Sequence, residues 1–333
     1  MVPTQDDYEP AVSLTVRPEE SGRALLEFVG SHLINLSKIA LRRLIASGRI
    51  RLNGSAAVPA TIVWTGDAVS LPPGMVPSPP PAQTVAIPVI HEDADHLCIN
   101  KPAGAPVLPG RMGEGGEFYR SLVALLNRDA PPGGPYRRPH VVHRLDRETS
   151  GVLLVAKSAE AGCALSRQFE RRQVEKTYLC IVEGVLPQPQ LTLDIPLARK
   201  RGSILGMTPD ERHGKPARTV LTVKERFAHF CLVEARPLTG RQHQIRVHLA
   251  AIGYPLAADG LYGRRQEMTG AAFNAIVGRA AVAPTERLLS RLALHAAAIR
   301  YRHPASGAPM WHQAPLPDDL SGFLSVLRRE DAA

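Results

Sequence analysis

Cysteine is scarce in this chain of 333 residues, which contains only Cys98, Cys163, Cys180 and Cys231. The four are widely separated and form no Cys-x-x-Cys pair. That spacing argues against a structural zinc site and against a disulfide framework. Scattered thiols are typical of proteins in a reducing compartment, so we expect a cytoplasmic location.

Other signatures are missing as well. No apolar run approaches the roughly 18 residues that a membrane-spanning helix needs, and the acidic first ten residues lack the apolar core of a secretory signal. The glycines near residue 115 do not open a helix, so they predict no phosphate-binding loop. We therefore expect no membrane association and no metal ion.

Positive charge is the main compositional excess. The chain has 40 lysines and arginines against 31 acidic residues, which gives a formal charge of +9 and a pI near 9.7. Such a balance indicates a polyanionic partner, either nucleic acid or an acidic membrane surface. With no membrane segment in the sequence, nucleic acid is the favoured partner.

Proline marks the clearest boundary. The segment 72–81 holds six of the 30 prolines, and such a stretch resists both helix and sheet. We predict a first domain at 12–71, a proline-rich linker at 72–84 and a larger second domain at 85–328. At this length the chain can form two domains.

The predicted first domain combines helical spacing with a segregated basic stretch. Leu25 to Leu33 and Leu41 to Ile45 have helical periodicity, and a short strand ends at Asn53-Gly54, a strong hairpin signal. The stretch also carries the basic residues Lys38, Arg42, Arg43 and Arg49 without any acid between them. We interpret these as a surface that contacts phosphates, although a merely solvated helix face has the same pattern.

In the second domain strands outnumber helices, so its fold class is a mixed α+β domain. Strands are predicted at 85–89, 97–100, 151–156, 174–182, 217–224 and 230–235, and a helix at 158–172 with Ser158 as its N-cap. A further helix follows Thr239 and Gln242, which have capping-box spacing, and stops at Gly253. No structure is assigned to the segment 264–290.

The segment from His143 to Gly151, His-Arg-Leu-Asp-Arg-Glu-Thr-Ser-Gly, joins two apolar runs and places Asp146 between Arg144 and Arg147. A fixed carboxylate beside cationic partners suits a group that stays ionised and reacts. The alternative is a solvated turn with a surface ion pair, which contributes almost nothing to stability. Asp146 is the candidate catalytic residue.

Three further segments accompany this one in order. They are Asn100-Lys101-Pro102-Ala103-Gly104, the strand-like 175–184 with Tyr178, and 239–249, where Arg246 lies opposite an apolar helix stripe. Together the four segments resemble the motifs of the RluA-type pseudouridine synthases. The pattern from Leu36 to Asp67 resembles an S4-like RNA-binding domain.

The resemblance implies a pseudouridine synthase fold, with a mixed, largely antiparallel central sheet flanked by helices, plus a small N-terminal S4-like α/β domain. It implies an isomerase that needs no cofactor, with Asp146 as the catalytic carboxylate and Arg246 as its partner. Tyr178 would stack on a flipped uracil and help to remove its C5 proton. Arg144 would fill the gap left in the RNA, and His143 is a further substrate-binding candidate. Whether Asp146 attacks the sugar, attacks the base or abstracts a sugar proton stays open.

An appended S4-like domain is typical of family members that modify large-subunit ribosomal RNA, so ribosomal RNA is the favoured partner. Transfer RNA is the alternative substrate. A non-catalytic RNA-binding or ribosome-assembly factor is the alternative function, although binding alone does not need a carboxylate among phosphates. A monomer is the simplest oligomeric state.

Overall fold

The computed structural model describes residues 12–34, 36–75, 80, 82–108, 116–130, 135–200, 202 and 206–332. The chain divides into two compact units. Unit 1 is formed by Met1–Ala86 and Glu117–Pro139, and unit 2 by Ile87–Gly116 and His140–Ala333. Each unit has its own buried apolar core, because each is long enough to cover one.

Unit 1 is a small antiparallel sheet with helices. Its four strands lie in the order β1-β4-β2-β3. Its elements are β1 (Val12–Thr15), α1 (Leu25–His32), α2 (Lys38–Ala46), β2 (Arg51–Leu52), β3 (Ser55–Ala56), β4 (Ala68–Leu71) and α3 (Glu117–Leu126).

The local predictions for this unit are confirmed. Helices α1 and α2 occupy the two segments with helical spacing, and the hydroxyl of Ser37 caps α2 by accepting the Ala40 N–H. Asn53 and Gly54 form the β2–β3 turn with φ angles of 49° and 78°. Positive φ at both central positions is the reason Asn-Gly favours tight hairpins.

Residues 117–139 belong to unit 1, whereas the sequence placed them in the second domain. Helix α3 continues into a segment that Asn127 braces, because its side chain bonds both the N–H and the C=O of Arg137. Arg138 then donates to the carbonyls of Gly30 and Leu33 at 2.8 and 2.7 Å. Those contacts join segments about 100 residues apart, which local periodicity does not reveal. Part of the predicted linker lies outside the described residues, and the domain boundaries stay a prediction.

A ten-stranded sheet forms the centre of unit 2, with eight strands in the order β10-β13-β14-β9-β17-β8-β6-β5, while β7 pairs with β8 and β18 with β17. The strands of the unit are β5 (Val89–Glu92), β6 (His96–Lys101), β7 (His140–Val141), β8 (Ser150–Ala156), β9 (Glu175–Glu183), β10 (Gln190–Asp194), β11 (Leu197–Arg199), β12 (Met207–Pro209), β13 (Arg218–Arg226), β14 (Phe230–Pro237), β15 (Met268–Thr269), β16 (Arg287–Leu289), β17 (Leu294–Arg302) and β18 (Pro309–Gln313).

The helices of unit 2 are α4 (Ala159–Glu170), α5 (Gln244–Ala251), α6 (Gly270–Val277) and α7 (Asp318–Asp331). Within the sheet every strand pair is antiparallel except β8 with β17. The prediction of a mixed, largely antiparallel α+β fold is confirmed. Among the described residues, none of the helices is long and apolar enough to cross a membrane.

Two segments differ from the prediction or extend it. The strand predicted at 85–89 begins only at Val89, since Pro88 just before it has no N–H for a ladder. The unassigned segment 264–290 forms β15, α6 and β16. There Phe273 packs against Phe230 of β14 and against Phe323 of α7, so this segment shares one apolar core with those two elements.

Candidate active site

The loop between β7 and β8 carries Asp146. Its two flanking strands pair with each other, which confirms the predicted strand-to-strand loop. Inside it the Thr149 N–H donates to the Asp146 carbonyl at 3.1 Å and closes a turn. The Asp146 side chain keeps 26% of its surface exposed. The carboxylate is therefore held by the loop backbone and is still accessible to a ligand.

Lys101 fastens this loop from the end of β6. It is fully buried, and its ammonium donates to the carbonyls of Pro102, Ala105 and Arg147 at 2.6, 2.8 and 3.1 Å. Burial lowers the pKa of Lys101 to about 7. Because one of its three acceptors belongs to the residue after Asp146, Lys101 fixes the loop backbone next to the carboxylate.

Arg291 fastens the same loop from the other side. Its guanidinium donates to the Glu148 carbonyl at 3.1 Å and to the Ser150 hydroxyl at 3.2 Å, and pairs with Asp319 at 2.6 and 2.9 Å. Ser150 in turn bonds Nδ1 of His295 at 2.9 Å. The loop is thereby tied to β17 and to the start of α7.

Gly151 ends the motif where two backbones meet. Its φ is 115°, and a Cβ there would lie 2.2 Å from the carbonyl oxygen of Ala296. Ala296 is its register partner in β17. A side chain would therefore clash with the strand that runs parallel to β8, and glycine is required at this position.

Tyr178 and Lys176 lie on β9 with their side chains toward the same side as Asp146, as period-two spacing predicted. Burial, followed by the charge of Asp146, raises the pKa of Tyr178 above its ordinary value. Burial also lowers the pKa of Lys176. Tyr178 is thus a neutral phenol beside a carboxylate.

Arg246 lies in the first turn of α5, but the helix does not begin as predicted. The capping box of Thr239 and Gln242 is wrong, because His243 is the N-cap, with φ 54°. Thr239 instead donates its hydroxyl to Gln244 Oε1 at 2.7 Å. The predicted stop is confirmed, since Gly253 follows the helix with φ 86°.

The structure brings Arg246 and Asp146 together, with Nη1 3.4 Å from Oδ2. Its tighter partner is Asp259, which is fully buried and accepts two N–H bonds of 2.8 Å from the same guanidinium. Burial alone would raise the pKa of Asp259, but Arg246 and the N–H groups of Leu261 and Tyr262 outweigh it and hold that pKa below its ordinary value. Arg246 is thus oriented by Asp259 and presents its remaining nitrogen to Asp146.

Sequence reasoning missed Asp259. The available signal was an acidic residue directly after the apolar run 256–258, at the start of a Gly-Leu-Tyr-Gly segment. A carboxylate in that position is fully buried and needs a cationic partner.

His243 is a second missed neighbour of Asp146, with its Nε2 3.9 Å from Oδ1. Its Nδ1 lies 2.7 Å from the hydroxyl of Tyr262, which itself accepts the Met207 N–H. One hydrogen bond thus joins the ring to this hydroxyl, and either atom can be its donor. Burial lowers the pKa of His243, so its ring is neutral near neutral pH.

Asp146, Tyr178 and Arg246 line one cleft of about 520 Å³ in unit 2. A cleft of that size is in the range of small-molecule pockets. Three segments far apart in the chain contribute the predicted catalytic residues to it. The charged or polar side chains along its wall include Asp146, Tyr178, Arg246, His143, Arg144, Lys176 and His243.

The predicted substrate-binding residues lie in different settings. Arg144 is exposed at the cleft. His143 stacks on Phe169, and its Nε2 accepts the Leu154 N–H at 2.9 Å, so one nitrogen of this ring holds β8. Burial lowers the pKa of His143 to about 3, which keeps the ring neutral. Lys38, Arg42, Arg43 and Arg49 are exposed on unit 1, the first three on α2.

Two sets of three side chains in the described residues are close enough to share a metal ion, and neither contains a residue of the cleft wall. The cleft offers instead a carboxylate, a phenol, a guanidinium and neutral imidazoles. That set can hold a planar polar base and place one carboxylate against it.

Comparison with known proteins agrees with this arrangement. Residues 95–251 match the model of the RNA pseudouridylate synthase family. The chain is 35% identical over 97% of its length to ribosomal large subunit pseudouridine synthase D of Nitrosomonas europaea, covering 89% of that protein. It is 34% identical over 96% of its length to ribosomal large subunit pseudouridine synthase C of Yersinia pestis, covering 97% of that protein.

A solved structure is similar too. Human RNA pseudouridylate synthase domain containing 4 superimposes with a TM-score of 0.56 at 26% identity, over 72% of this chain and 93% of that one. The chain therefore belongs to the RNA pseudouridine synthases, isomerases that convert uridine in RNA to pseudouridine. Family membership agrees with the RluA-type motifs from which the fold was predicted.

Proposed function

We propose that this protein isomerises specific uridines of large-subunit ribosomal RNA and that Asp146 is its catalytic carboxylate. The observation that carries the proposal is the convergence of Asp146, Tyr178 and Arg246 on one cleft. Proteins named ribosomal large subunit pseudouridine synthases match nearly the whole chain, which supports ribosomal RNA as the substrate over transfer RNA.

The reaction detaches uracil from C1′ of its ribose, turns the base and rejoins it through C5. It leaves the composition of the RNA unchanged, so the protein has to supply a nucleophile or base, positioning and exclusion of water. Asp146 is a partly exposed carboxylate of the cleft wall, and the Arg246 guanidinium, 3.4 Å away, is a partner for its ionised form. All three routes for Asp146 require that form.

Tyr178 acts in this scheme as a neutral ring. Because burial and Asp146 both raise its pKa, the phenol keeps its proton near neutral pH. It can stack on the flipped uracil and donate a hydrogen bond, whereas a phenolate base is disfavoured. Removal of the C5 proton then needs an acceptor whose pKa is closer to neutrality.

Extrusion of the uracil from folded RNA costs a few kcal/mol. Arg144 is exposed at the cleft and is our candidate to fill the space that the base leaves. We expect His143 to act indirectly, by accepting the Leu154 N–H and so fixing β8, the strand that follows the loop of Asp146.

Unit 1 is our candidate for an S4-like RNA-binding domain. Its support is the exposed face of α2, where Lys38 and Arg42 are four residues apart on a helix whose buried residues are Leu41 and Ile45. Arg43 of the same helix and Arg49, which follows it, are exposed as well. Phosphate contacts from this face would add affinity without reading sequence. We further propose that the protein acts in the cytoplasm as a monomer.

Tritium release tests the catalytic assignment. Ribosomal RNA labelled at uracil C5 loses tritium when pseudouridine forms, so the wild-type protein is expected to release it. Asp146→Asn removes the charge with almost no change in size and should abolish release. The matched control is Glu148→Gln in the same loop, which should keep it.

Retained release in Asp146→Asn would refute the role of Asp146. Absence of release from any RNA by the wild-type protein would favour the alternative of a non-catalytic RNA-binding factor. Mapping of pseudouridine in a deletion strain, complemented with wild type or Asp146→Asn, then separates ribosomal from transfer RNA.

A further inference from the structure

Three histidines from separate strands of unit 2 meet at the edge of the central sheet. His91 lies on β5, His96 on β6 and His312 on β18. Each offers a ring nitrogen, and these nitrogens all lie within 4.8 Å of one another. None of the three lines the cleft of Asp146.

Nε2 of His312 is buried without a hydrogen-bond partner among the described residues. Nδ1 of His96 is buried too and forms no hydrogen bond there, although Oδ1 of Asp93 lies 3.1 Å from it. His96 is fully buried, and its other nitrogen bonds the hydroxyl of Tyr301. Native proteins rarely leave buried polar atoms unpaired, and a bound ion can supply the partner that such an atom lacks. A metal on Nδ1 would leave the Nε2 proton of His96 for Tyr301, the arrangement that ligating histidines commonly adopt.

The charges around the group favour a cation. The carboxylate of Asp93 supplies negative charge, with Oδ2 2.9 Å from Nε2 of His91 and Oδ1 3.1 Å from Nδ1 of His96.

A second set consists of Asp93, His96 and His303. There Nδ1 of His303 accepts the N–H groups of Ala305 and Ser306, so the ring proton resides on Nε2, which faces Asp93 Oδ2 at 3.0 Å. His303 therefore holds the carboxylate in place and has no lone pair on that nitrogen for a metal.

We propose that His91, His96 and His312 form a binding site for a divalent transition-metal ion, Zn²⁺ by its preference for imidazole in tetrahedral geometry. The ion would connect β18 with β5 and β6. In the sheet, β18 pairs with β17, and β8 separates β17 from β6 and β5. The ion would thus stabilise the sheet edge and take no part in the isomerisation. Sequence spacing gave no such signal, because His312 joins the other two only in the fold.

Metal titration of the full-length protein without a polyhistidine tag tests this site. Zn²⁺ in competition with a chromogenic chelator should bind with one equivalent per chain, and Co²⁺ should give the visible absorption of a tetrahedral site. His91→Gln and His312→Gln should each weaken Zn²⁺ binding by at least about tenfold, since even outer partners of a metal change affinity by about 10- to 100-fold. The matched control is the exposed His213→Gln, which should bind as the wild type does.

A zinc-soaked crystal of the wild-type protein provides a readout that does not depend on the folding of variants. The anomalous peak should lie about 2.0 Å from a nitrogen of each of the three histidines. The proposal is overturned if the wild type does not bind Zn²⁺ stoichiometrically, or if both variants bind Zn²⁺ as tightly as the wild type does. A peak at other residues overturns it as well. Tritium release by the wild type is expected to be the same with and without Zn²⁺.

Discussion

At the scale of single residues, the guanidinium of Arg246 serves two carboxylates that differ in environment. Asp259 is fully buried and bidentate, whereas Asp146 is partly exposed and lies 3.4 Å from one nitrogen. The pair with Asp259 fixes the orientation of the guanidinium, and the contact with Asp146 places a positive charge beside the candidate catalytic carboxylate. Loss of Arg246 therefore affects stability and activity by separate routes.

Arg246→Ala should lower the free energy of unfolding by about 3–5 kcal/mol, because it leaves Asp259 buried and unpaired. Asp146→Asn should change it by less than about 1 kcal/mol, since that side chain is partly exposed. Urea unfolding measures both.

The double variant Arg246→Met with Asp259→Asn removes the buried charges together and keeps an acceptor for the Leu261 and Tyr262 N–H groups, so it should recover most of the lost stability. It should still fail to release tritium, because Asp146 lacks its cationic neighbour. Wild-type stability in Arg246→Ala would contradict the role of the buried pair, and restored release in the double variant would contradict the role of Arg246 beside Asp146.

At the scale of elements, the helices and strands could be predicted from the sequence where local patterns alone determine them. Periodicity, capping residues and turn residues located helices α1, α2 and α4 and the hairpin at Asn53-Gly54. They also located the predicted strands between β6 and β14. The start of α5 could not be found in this way, since the Gln244 side chain bonds Thr239 and Thr219 and takes the place of a capping box. The partner of Arg246 was equally hidden, because only the fold brings Asp259 to it.

Gly151, the second residue of β8, gives a prediction at this scale. Gly151→Ala should lower the free energy of unfolding through both a positive φ and a 2.2 Å approach to the Ala296 carbonyl. Gly307→Ala is the control, because Gly307 has φ 70° with nothing within 4 Å of its Cβ position. The control should lose about 1–2 kcal/mol from φ alone, and Gly151→Ala clearly more in the same urea titration. Equal losses would show that β17 yields to the methyl group.

At the scale of the whole molecule, buried neutral histidines make the stability of unit 2 depend on pH. Burial lowers the pKa of His295 to about 4, while an unfolded histidine titrates near about 6.5. Between those values the unfolded chain binds a proton that the folded chain does not. The stability that His295 contributes is thus full above about pH 6.5 and is lost as the pH falls toward about 4.

Urea unfolding of the metal-free protein at about pH 7.5, 6 and 5 should therefore give a falling free energy, with a slope of up to about 1.4 kcal/mol per pH unit for each such histidine. His295→Gln should reduce that slope. The exposed His213→Gln should leave it unchanged, and a profile that is flat in the wild type would contradict the assignment.

The position of β17 has a consequence for synthesis on the ribosome. This strand, near the carboxyl end of the chain, inserts between β9 and β8 in the middle of the sheet, and Arg291 just before it braces the loop of Asp146. Until residues 291–302 leave the exit tunnel, a nascent chain has two unpaired strand edges and an unbraced carboxylate loop. We therefore expect the loop of Asp146 to become ordered only after β17 has inserted into the sheet.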